Sequence, residues 1–99
     1  MRHIKVYTDA IHEEIEGAKE YAEKYVEAKV AEKQEQAHKY KEMANDELKH
    51  AMYNHEWAVA EINKLSKMYE PPAEMLDKWN KAHKEYVEQV AWIKQMLAM

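Results

Sequence analysis

Apart from Gly17, nothing that interrupts an α-helix occurs before the adjacent pair Pro71-Pro72. Proline lacks the backbone donor and clashes with the preceding turn, and glycine carries the largest entropic cost of ordering, so these are the two residues a long helix avoids. A chain with one Gly, two Pro, no Phe and an abundance of Ala, Glu, Lys, Met and Leu is committed to long helices. The fold class is therefore all-α. At 99 residues it is one domain, residues 1-99. A chain of that length buries less than about two-thirds of its unfolded surface, so association with a second copy would add needed core.

Periodicity divides the chain into helices over about 9-28, 34-68 and 73-98. Thr8 or Asp9 offers an N-cap for the first, leaving His3 to Tyr7 as an extended arm or a ragged start. Ile11, Ala18, Tyr21, Tyr25 and Ala28 share one face of that helix, and Glu14 lies within the same stripe. Gly17 leaves room for a neighbouring backbone. In the second helix Ala37, Tyr40, Ala44, Ala51, Ala58, Ile62 and Leu65 are the buried candidates. In the third, Leu76, Trp79, His83, Tyr86, Val90, Ile93 and Leu97 alternate steps of three and four, as a packing seam does. Trp92, Met96 and Met99 add apolar surface beside that seam, which points to a subunit contact. His12, His38 and His55 are expected in solvent, and His83 in the seam with its ring partly buried.

Between Lys29 and Gln36 the apolar period lapses without a turn residue. Two arrangements fit: a tight connection that makes a helical hairpin, or one unbroken helix to about residue 67. Glu14 and Glu47 decide which is chemically useful. Thirty-three residues of straight helix would hold them roughly 50 Å apart, whereas a fold back near residue 31 brings them level.

Glu47 and His50 stand three residues apart and share a helical face. A carboxylate and an imidazole projecting together into a bundle can bind metal when neighbouring helices supply further carboxylates. With six His and 19 acidic residues, one Glu-x-x-His is expected by chance, and a second does occur at Glu35 and His38. His38 falls on the opposite side of the helix from Glu47, so Glu47 and His50 are the better pair. From spacing alone, a surface ion pair is the better explanation. Net charge is −4, with no Lys/Arg cluster on one face, so no nucleic-acid partner is expected. There is no Cys, hence no disulfide or thiolate site, and neither a membrane span nor a signal peptide is expected. A cytoplasmic location is the default.

Glu13-Glu14-Ile15-Glu16 followed by Tyr21, and Asn45-Asp46-Glu47-x-x-His50-Ala51-Met52 followed by Glu56-Trp57, together resemble the ferritin-like superfamily. The half-length encapsulated ferritins are the most similar group, and the step from Glu14 to Glu47 also resembles the first half of a rubrerythrin. The resemblance covers roughly residues 11 to 60. It implies a half-bundle that dimerises into a ferritin-like four-helix bundle, as a homodimer or higher even oligomer, with a di-iron (Fe) site at the two-fold axis. It implies that Glu14, Glu47 and His50 ligate metal and carry catalysis, that Tyr21 orients a ligand carboxylate, and that Glu13 and Glu16 form an acidic approach for Fe(II). The implied activity is ferroxidase, with iron storage or detoxification as its use. Mn or Zn suits the same ligands, and a metal-free interaction or scaffold bundle is the other reading. The third helix is longer than in that family and no targeting tail follows Met99, so an encapsulin shell is not expected as a partner.

Overall fold

The computed structural model describes residues 2–99 and consists of three helices, α1 (Arg2–Val30), α2 (Gln34–Met68) and α3 (Ala73–Leu97). They lie side by side in a rod of 55 × 16 × 16 Å. α1 and α2 form an antiparallel hairpin, and α3 packs chiefly on α1 and touches α2 little. No helix among the described residues is long and apolar enough to cross a membrane.

The hairpin turns on residues that carry no turn signature. Glu32 takes a left-handed backbone, φ 59°. The Glu32 N–H donates to the Lys29 carbonyl and the Lys33 N–H to the Ala28 carbonyl. This pair of bonds is a Schellman cap, which satisfies the last carbonyls of α1 and reverses the chain within three residues. Glycine normally occupies the left-handed position because a Cβ there costs on the order of 1 kcal/mol. Glu32→Gly should accordingly stabilise the protein by about 1 kcal/mol, less the entropy glycine adds to the unfolded chain. Urea unfolding of the two proteins measures it, and an unchanged midpoint would mean that the turn is not strained. At the other connection Tyr69 is extended, Pro71 and Pro72 follow, and the Pro72 carbonyl accepts the first bonds of α3 from Met75 and Leu76.

α1 begins about two turns earlier than the Thr8 or Asp9 cap predicts. Ile4 is buried and continues the seven-residue series Ile4, Ile11, Ala18, Tyr25, so its burial draws the arm into the helix. Thr8 is no cap: it is buried, and its hydroxyl donates back to the Lys5 carbonyl at 3.0 Å. Facing that series, Ala37, Ala44, Ala51 and Ala58 form a second seven-residue series of fully buried small residues on α2. Alanine at every contact lets the two backbones approach closely. Ile93, Met96 and Leu97 of α3 close the core against Ile15, Ala22 and Leu48. Met96 thus belongs to the core and not to the outer surface, whereas Trp92 and Met99 are exposed.

Candidate metal centre

Because α1 and α2 run antiparallel and level, residue pairs summing to about 61 meet across the hairpin. Tyr21 stacks on Tyr40 with ring centroids 6.5 Å apart, and about two turns further along Glu14 meets Glu47. Beyond them Tyr7 meets Trp57 at 6.2 Å. The two aromatic contacts therefore bracket the acidic pair along the hairpin axis.

Glu14, Glu47 and His50 each present a ligand atom, and all three atoms lie within 4.8 Å of one another. His50 Nδ1 is 3.5 Å from Glu14 Oε2. Donors around a single ion at about 2.1 Å sit roughly 3 to 4 Å apart, so small side-chain rotations close this group onto a cation. The donor set is two hard carboxylate oxygens and a borderline imidazole nitrogen, which suits iron, manganese and zinc alike. The group can hold a metal ion.

Its electrostatics agree with that reading. Hydrogen bonding to Glu14, removal from water and the Glu14 charge all push the Glu47 carboxyl above its usual range, against the lowering effect of His50. Two carboxylates held this close are stabilised only when a proton or a cation sits between them. Gly17 makes the arrangement possible. A Cβ built there would meet Glu47 Oε2 at 3.0 Å, so the missing side chain is the space in which the carboxylate lies. The room that Gly17 leaves is taken by a side chain and not by a neighbouring backbone. The clue available in the sequence is that Gly17 lies one turn from Glu14.

The group faces outward. The His50 side chain is 53% exposed and that of Glu14 is 24% exposed. Around it on the open side of the hairpin lie exposed Val6, Met43, Tyr53 and Trp57. Glu13 and Glu16 are not part of the three-residue group. They line a shallow acidic groove with Gly17, Lys19, Glu20 and Glu23, and Gly17 joins that groove to the back of Glu47. Tyr21 packs on Tyr40 rather than on a ligand carboxylate. His38 pairs with Glu42 at 2.9 Å on the solvent side, as its helical angle predicts. His12 is exposed and reaches α3, where it meets Glu85 at 2.7 Å, and that carboxylate raises its pKa. His55 departs from the expectation of a solvent position. It is half-buried against α3, where its ring stacks on Tyr86, while His83 is the more exposed of the two.

The fold and this group define an all-α, three-helix protein with a two-carboxylate, one-imidazole cluster that can hold a metal ion. Comparison with protein-family models, with curated proteins and with solved structures finds no match.

Proposed function

We propose that the chain is a ferritin-like half-bundle that dimerises through the open side of its α1–α2 hairpin and oxidises Fe(II) at the site so completed. The observation that carries this is the placement of Glu14, Glu47 and His50 together on the outward face, beside exposed aromatic and aliphatic side chains. One such group is too small for two metals. Two copies related by a two-fold axis supply four carboxylates and two imidazoles, the donor count of a carboxylate di-metal centre. Dimerisation would also cover Trp57, which is 53% exposed in the single chain.

Within that site each residue has a separate task. Glu14 and Glu47 supply anionic oxygens that favour Fe(III) over Fe(II) and so lower the reduction potential, which favours oxidation. His50 supplies a neutral nitrogen and limits the net negative charge. Protons compete with an entering cation for the Glu14 and Glu47 carboxylates, so binding weakens as pH falls. Glu13 and Glu16 draw cations toward the site from the acidic groove. Two Fe(II) give up one electron each, which with two protons take O2 to H2O2 or peroxide to two waters, and they leave as Fe(III), the product to be stored or removed.

Titration of the anaerobic protein with Fe(II), followed by air, should give saturable ferric absorbance at two irons per dimer. Glu14→Ala and His50→Ala should each weaken iron binding by at least about a hundredfold, since even outer ligand-supporting residues are worth 10- to 100-fold. Oxidation at the same rate and stoichiometry in both variants would remove the proposal. The same group holding Mn or Zn in a storage or structural role predicts binding without oxidation.

A second reading, a metal-free interaction or scaffold bundle, is favoured by Val87 and Trp92, both exposed on the outer face of α3. It predicts a melting temperature that does not respond to Fe(II), Mn(II) or Zn(II), and a partner retained by metal-stripped protein.

A further inference from the structure

On the side of α2 away from the acidic cluster, a second set of metal-ligating side chains faces α3. His55 follows His50 by five residues, which rotates it about 140° around the helix, so no donor is common to the two places. His55 Nε2 lies 2.8 Å from His83 Nδ1. The rings are flanked by aromatic neighbours. His55 stacks on Tyr86 with centroids 4.2 Å apart and planes 19° apart, and Trp79 packs on both His55 at 5.1 Å and His83 at 5.7 Å. This is the closest polar contact between α2 and α3, two helices that otherwise touch little.

From this geometry we infer that His55 and His83 form a two-imidazole clamp for a nitrogen-preferring divalent transition metal, Cu(II) or Ni(II), bridging α2 and α3. The inference is independent of the function proposed for the Glu14 group. Once both rings turn their lone pairs onto one ion, a separation kept near this hydrogen-bonded one favours one metal class. With metal–nitrogen bonds of about 2.05 Å, nitrogens 2.8 Å apart subtend about 86° at the metal, whereas a tetrahedral site needs them roughly 3.3 Å apart. A right-angle bite is that of neighbouring positions in a tetragonal complex, the preference of Cu(II) and Ni(II), and it disfavours tetrahedral Zn(II). Without metal, one proton bridges the two nitrogens. The ligating form is accessible at neutral pH, because burial and the His83 charge lower the His55 pKa, against the raising effect of Glu56. His83 is open to solvent on its outer side, which leaves the remaining coordination positions to water.

The test uses the full chain carrying His3→Ala and His50→Ala, so that neither the exposed His3 nor the acidic cluster competes. Cu(II) is added up to one equivalent at pH 7.5 and followed by electron paramagnetic resonance and calorimetry. One saturable Cu(II) per chain with splitting from two nitrogens is expected. His55→Gln and His83→Gln, each added to that background and checked for helicity by circular dichroism, should reduce the affinity at least about tenfold and lose one nitrogen coupling. Unchanged Cu(II) binding in both variants would overturn the clamp. So would variants that melt earlier while the parent shows no two-nitrogen signal, which would leave the pair as a hydrogen bond that only ties α3 to α2.

Discussion

Glu47→Gln should raise the melting temperature of the metal-free protein at neutral pH and abolish the stabilisation by Fe(II) that the proposed site predicts. The two effects have opposite signs because one contact produces both. In the absence of a cation, Glu14 and Glu47 face each other as like charges, and the Glu47 carboxyl is pushed above its usual range by that neighbour and by burial. A carboxyl with a raised pKa in the folded state binds its proton more tightly there than in the unfolded chain. Its contribution to stability is therefore present below the unfolded value near 4.5 and is lost as pH rises through the higher folded value. The gain from the substitution is therefore larger at neutral pH than near pH 4. Glutamine removes the charge, keeps the shape, and its amide can donate to Glu14.

The same substitution deletes a ligand. Metal at about 100 times its dissociation constant stabilises a folded protein by about 2.7 kcal/mol. In a domain of this size that is a shift on the order of 10 °C or more. Calorimetric scans of wild type and Glu47→Gln, with and without anaerobic Fe(II) and between pH 4 and 8, read out both halves. In the metal-free scans the two proteins should converge toward pH 4. A variant that is less stable than wild type at pH 7, or that still gains the full Fe(II) shift, contradicts the reading of this pair.

Ala51→Leu should destabilise the protein by about 2 kcal/mol, within the usual range for overpacking a tight core, and lower its melting temperature by on the order of 10 °C. Ala51 is fully buried, with Ala44 and Ala58 one heptad to either side, and this small-residue series sets how closely α1 and α2 approach. Three added carbons have no empty space to enter and must push the helices apart. Glu47 lies one turn before Ala51, so the same movement separates Glu47 from Glu14 and weakens metal binding. Ala60→Leu is the control. Ala60 is exposed on the same helix, and its replacement should stay within about 0.5 kcal/mol of wild type. Equal stability of the two variants would show that the interface accommodates bulk and that the alanine series does not set its spacing.

Periodicity and helix breakers located the helices well, and the exceptions have identifiable causes. The limits of α2 and the start of α3 follow from Pro71-Pro72 and from the lapse in the apolar stripe around residue 32. The start of α1 does not. Thr8 has the chemistry of a cap, but the burial of Ile4 against the hairpin outweighs it and extends the helix to Arg2. Met96 was legible as apolar but not as core, because a stripe shows which residues avoid water and not which neighbouring helix covers them. His55 shows the same limit, since the ring that holds it, Tyr86, belongs to a different helix.

What the amino-acid order determined by itself is local: an all-helical chain, the placement of its breaks, and Glu47 and His50 on one face, since a step of three residues along an α-helix leaves no other outcome. What only the tertiary structure decided is every relation across helices. A left-handed Glu32 turns the chain without a glycine, the alanine series draws α2 against α1, and Gly17 leaves the space that Glu47 fills. These contacts join residues many turns apart, and their energies depend on how three helices pack at once, which no local pattern encodes. The meeting of Glu14 with Glu47, and of His55 with His83, is therefore a property of the packed molecule.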